Sequence, residues 1–133
     1  QGITVKEQSY GYEVILPHLM PKRNHRNHTV FLLEPLTYAL KEFTAVHPIC
    51  RLEYALIWFI YEYTEDTPIH CIRDYDNIET KEVLDIINSF FLLDDGGAFC
   101  ELHYSTRRGN RNGTRVIISS DIGLVSCQKI NGD

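Results

Sequence analysis

The stretch "YALIWFIYEY", Tyr54 to Tyr63, constrains the fold more than any other part of this chain. Within residues 50–64, Leu52, Tyr54, Leu56, Trp58 and Ile60 alternate with Glu53, Ala55, Ile57, Phe59 and Tyr61. One set is wholly apolar or aromatic, and the other is apolar through its middle. Side chains alternate across a strand, so both faces of such a strand need cover. A buried helix is the competing reading, but aromatic and β-branched content favours a strand. The segment is therefore expected to be a central strand buried on both faces. At eight residues, the nearly uncharged core of the run falls far short of the roughly 20 apolar residues needed to span a bilayer, so no membrane partner is expected.

The remaining elements follow from periodicity and punctuation. Residues 10–18, "YGYEVILPH", have the content of a strand ended by Pro17, and "TVFLL", 29–33, reads as a short second strand. Glu34-Pro35 opens a helix with proline at the first helical position. Leu36, Ala39, Leu40, Phe43 and Val46 recur at helical spacing, and His47-Pro48 ends the run. After "EDTP", "IHCIRDY" is expected to pair back on the central strand as a hairpin. Asp76 and Glu79 have capping-box spacing, with Thr80 as an alternative N-cap. Val83, Leu84, Ile87, Phe90 and Phe91 form an amphipathic stripe, which Gly96-Gly97 would stop. "AFCELHYS" and "TRVIISS" flank the arginine-rich segment as a second hairpin, with Asn112-Gly113 as its tight turn, and the tail "DIGLVSCQKINGD" is assigned no element.

These elements predict a single α+β domain over residues 3–133, with two helices on one face of an antiparallel sheet. Their order resembles the βαββαβ order of the ferredoxin-like plait, with an extra C-terminal hairpin strand. Gln1-Gly2 reads as a tag remnant. The chain then begins without an initiator Met, as a domain cut from a longer protein or a mature form would. Cys50, Cys71, Cys100 and Cys127 lie too far apart for a Cys-x-x-Cys motif. The first three sit among apolar residues, which suggests buried, reduced thiols and favours a cytoplasmic over a secreted protein. The sequons Asn27-His28-Thr29 and Asn112-Gly113-Thr114 fall in expected loops and hardly shift that balance.

Charge is segregated. The net charge is −5, yet residues 52–101 hold twelve acids against only Arg73 and Lys81. Basic residues gather in two loops: Lys22, Arg23 and Arg26 in one, and Arg107, Arg108, Arg111 and Arg115 in "HYSTRRGNRNGTRVI". Together they make a candidate anion-binding pole, since arginine pairs carboxylate or phosphate at two points. A solvated hairpin tip, or arginines folded back onto the protein's own acids, is the plainer reading. Residues 107–113 contain no apolar side chain, so a mobile tip is expected there.

Chemistry-bearing motifs are few. Glu101 and His103 share one face of an expected strand, and with Arg107 they resemble the acid, base and charge stabiliser of a metal-independent ribonuclease. His25-x-x-His28 lies in a loop whose arginines oppose a cation, and "DDGG" lacks a calcium-loop ligand pattern, so neither metal nor cofactor is expected. No nucleotide-binding loop or nucleophile elbow is present. The leading expectation is a non-enzymatic binding or regulatory domain that contacts a protein partner through its acidic face and arginine-rich hairpin, as an immunity or inhibitor protein would. Nucleic-acid binding at the basic pole and the ribonuclease are the alternatives.

Overall fold

The computed structural model describes residues 2–17, 27–72, 80–93 and 100–121. Five strands and two helices follow the order β1 (Thr4–Gln8), β2 (Gly11–Leu16), α1 (Asn27–Val46), β3 (Ala55–Thr64), α2 (Lys81–Phe91), β4 (Cys100–Gly109) and β5 (Gly113–Ser119). A 3-10 turn at Ile69–Cys71 follows β3. The fold is α+β, as the sequence predicts.

The sheet order is β1-β2-β5-β3-β4. β3 is an interior strand, flanked by β5 and β4, and buried along almost its whole length, because both its alternating faces are apolar. Ala55, Ile57, Phe59, Tyr61 and Tyr63 share the main core with Leu36 and Leu40 of α1, Val83, Ile87 and Phe91 of α2, and Val14, Val116 and Ile118. On the opposite face Leu56, Trp58, Ile60 and Ile117 form a smaller buried cluster against Tyr10.

Several expectations are corrected. The sheet is mixed, since β3 pairs parallel with β4 and antiparallel with β5. Among the described residues the strands do not follow the plait order. β1 was not anticipated, because its short "TVKEQ" carries one apolar side chain. "TVFLL" is helical: α1 starts at Asn27 and holds Pro35 in its interior. Short apolar runs do not distinguish helix from strand, and Leu32, Leu36 and Leu40 at four-residue spacing bury one helical face. "IHCIRDY" does not begin as a hairpin strand. Thr64, Asp66 and Thr67 close a turn through Thr67 N to Thr64 O (3.0 Å) and Thr64 Oγ1 to Asp66 Oδ1 (2.6 Å), and the 3-10 turn follows. α2 ends at Phe91, before Gly96-Gly97, because the chain there pairs with Leu52: Leu52 N donates to Phe91 O (2.8 Å) and Leu93 N to Leu52 O (2.9 Å). Thr80 is the N-cap of α2, with its hydroxyl 3.2 Å from Tyr104 OH rather than on the helix backbone. Asp76, Glu79, Gly96 and Gly97 lie outside the described residues.

β4 and β5 are not a hairpin. They flank β3 on opposite sides, so residues 110–112 must pass over its end. Asn112 Oδ1 accepts from Thr64 N (3.0 Å), which caps the last residue of β3 where the loop crosses. Gly113 is required by proximity: a Cβ there would lie 2.9 Å from Leu16 O. Of the expected tip at 107–113, residues 107–109 lie in β4 and Gly113 in β5, and only 110–112 lie outside a strand.

Candidate functional site

Register places the chemistry on the sheet face opposite the helices. Glu101, His103, Ser105 and Arg107 of β4 stand beside Leu56, Trp58, Ile60 and Glu62 of β3. Arg115 of β5 is opposite Ile60, and Glu13 of β2 is opposite Ile117. Two groups of polar side chains result.

The first is a chain of alternating charge across four neighbouring strands. Gln8 Nε2 donates to Glu13 Oε1 (3.1 Å), and Arg115 Nη1 donates to Glu13 Oε2 (2.6 Å). Arg115 Nε lies 3.5 Å from Glu62 Oε2, and Arg107 Nε and Nη2 reach the same oxygen at 2.8 and 2.7 Å. The side chain of Glu13 is 4% exposed and that of Glu62 13%. A buried carboxylate needs paired charge, and each of these has an arginine. Burial opposes the charge on Arg115, but its hydrogen bond to Glu13 and the charges of Glu62 and Glu13 outweigh burial and raise its pKa. Burial and the Glu13 charge, partly offset by Arg115, push the neighbouring Tyr10 phenol up to about 12.

The second group lies nearer the start of β4. His103 Nε2 is 3.1 Å from Glu101 Oε1, with both side chains more than a third exposed. Trp58 Nε1 donates to Ser105 Oγ (2.8 Å). The pKa of Tyr54 is raised by burial, by the charge of Glu101 and by a hydrogen bond to it. Arg107 is four residues along β4 from His103, about 13 Å at about 3.3 Å per residue. It is held there by Glu62, so the structure does not bring it to the Glu101–His103 pair.

Of the seven cations of the predicted basic pole, Arg107 and Arg115 are thus paired with acids of the sheet. Arg108 is on the helix face, where Nη1 donates to Thr64 O (2.8 Å) and Thr67 O (2.7 Å) and clamps the turn after β3. Arg111, in the crossing loop, is exposed. Lys22, Arg23 and Arg26 lie outside the described residues, as do His25 and Cys127. Cys50 and Cys71 are exposed and Cys100 half-buried, so the expected burial does not hold for the first two. Among the described residues no group of His, Cys, Asp or Glu is arranged to hold a metal ion, and no helix is long and apolar enough to cross a membrane.

Sequence reasoning missed Glu13 and Glu62 as partners. The signal was present: each is a lone acid inside a strand that is otherwise apolar or aromatic, in "GYEVIL" and "FIYEYT".

Residues 1–122 match the model described as "Family of unknown function (DUF6100)". The chain belongs to that family. No curated protein and no solved structure matches this DUF6100 member.

Proposed function

We propose that the chain is a non-enzymatic binding domain that contacts a basic protein partner through its acidic surface, in the manner of an immunity or inhibitor protein. The observation that carries this reading is the withdrawal of arginine from solvent. Arg107, Arg108 and Arg115 are spent on internal acids and carbonyls. What the described surface exposes is Glu7, Glu34, Glu42, Glu53, Glu65, Asp66, Glu82, Asp85 and Asp121, against Lys6, Lys41, Arg51, Lys81 and Arg111. Such an excess favours fast, salt-sensitive encounter with a positively charged surface. Arg107, Arg108 and Arg115 contribute little to it, and a nucleic acid would meet net repulsion.

The test is affinity capture at low and at high salt, with the chain and with a variant carrying lysine at Glu34, Glu42, Glu82 and Asp85. A basic protein retained at low salt, released at high salt and lost by the variant supports the reading. Retention that ignores both salt and charge reversal sinks it.

The Glu101–His103 pair favours a second reading, proton transfer at the half-exposed imidazole, oriented by the carboxylate. It predicts RNA cleavage that survives chelators and disappears in His103→Ala. Without cleavage by the wild-type chain, this second reading has no basis.

A further inference from the structure

The exposed face of α1 carries Glu34, Tyr38 and Glu42 at four-residue spacing, which stacks them on one side of the helix. Tyr38 is 64% exposed, an unusual position for a large aromatic ring. Glu42, one turn along the helix, lies close enough to the Tyr38 hydroxyl to raise its pKa through hydrogen bonding and charge. Beside this stripe is an open cavity of about 550 Å³, lined by Gly2, Ile3, Glu34, Pro35, Tyr38, Ala39 and Glu42. None of its lining residues is a cation, and Lys41 is not among them.

We infer that this groove is where the basic partner inserts an arginine or lysine side chain. This rests on the reading of the chain as a binder of basic proteins and names the place of contact. Three chemical requirements of such a side chain are met together. A cation seeks the face of an aromatic ring, and Tyr38 offers one to solvent. Its charge seeks carboxylate, and Glu34 and Glu42 flank the ring on either side. Its aliphatic stem seeks apolar surface, which Ile3, Pro35 and Ala39 supply. Exposed aromatics that combine a rigid ring with a polar tip are typical anchors of protein contacts.

The experiment titrates the protein with a short capped Gly-Arg-Gly-Arg-Gly peptide at low salt and follows amide and Tyr38 ring resonances. A peptide with norleucine in place of arginine serves as comparison. The expected result is shifts centred on residues 34–42 and Ile3, with binding weakened about threefold by Tyr38→Ala and far less by Tyr38→Phe. Glu34→Gln with Glu42→Gln should weaken it further, whereas Glu53→Gln with Glu82→Gln should not. Equal binding of the arginine peptide by wild type and Tyr38→Ala, or equal binding of the norleucine peptide, overturns the groove while leaving the acidic-surface reading standing. No binding of the arginine peptide by the wild type likewise overturns the groove, while the acidic-surface reading stands or falls on the capture experiment.

Discussion

Glu62 Oε2 receives Arg107 at 2.7 Å and stands 3.5 Å from Arg115, so a single carboxylate oxygen on β3 ties together its two neighbours, β4 and β5. Those strands run antiparallel to each other with β3 between them. Their connection is only residues 110–112. Glu62 thus marks the place where the crossing is fixed by charge.

Glu62→Gln should lower stability by about 2 kcal/mol, because it leaves Arg107 half-buried without its acid and weakens the setting of Arg115. Arg107→Met should cost less, since Glu62 keeps Arg115 and the methionine covers Ile60 and the neighbouring sheet. Urea unfolding of the two variants ranks them. The reverse order would mean that the arginine stem, not the charge, holds β4 in place.

The crossing loop predicts a local effect. Asn112→Ala removes the acceptor of Thr64 N and should cost about 1 kcal/mol. Amide exchange at Thr64 should accelerate, while β5, paired on both sides, stays strongly protected from Thr114 to Ile118. Uniform exchange across 107–118 would restore the mobile-tip expectation.

Gly113→Ala should destabilise by about 2 kcal/mol, because its Cβ would be pressed against the backbone carbonyl of Leu16, which cannot swing away. Gly109→Ala meets only the end of the Glu62 side chain at 3.3 Å and should cost less. Thermal melts of both rank a 2.9 Å clash with backbone against a 3.3 Å contact with a side chain.

Tyr10 sets a limit at high pH. Its folded pKa is raised from 10 to about 12, so its contribution to stability is complete below pH 10 and is lost as pH rises through about 12. The midpoint of unfolding should therefore fall across that window, and fall less in Tyr10→Phe. An identical decline in both proteins would assign the effect to other groups.

Periodicity alone determined the elements with a strong face. β3 was legible because its aromatic and β-branched residues, at both odd and even positions, favour a strand covered on both faces. α2 was legible from Val83, Ile87 and Phe91, and the latter part of α1 from Leu36, Leu40 and Phe43. The clustering of Arg107, Arg108, Arg111 and Arg115 was equally plain, as was the adjacency of Glu101 and His103 on one strand face. Each of these is a local property of chemistry and spacing.

Pairing was decided only by tertiary structure. A strand does not state which neighbour it will have, and consecutive strands usually pair with each other. Here β4 and β5 are separated by β3, and that single choice changes what every arginine in the segment does. Had they paired directly, Arg107 and Arg115 would have stood at a solvated hairpin. With β3 between them, both are brought to Glu62, and Arg115 also to Glu13, more than a hundred residues away in the chain. Burying a carboxylate without a cation is costly, so the positions of Glu13 and Glu62 in the folded sheet, and not the composition of the loop, determined where the arginines went.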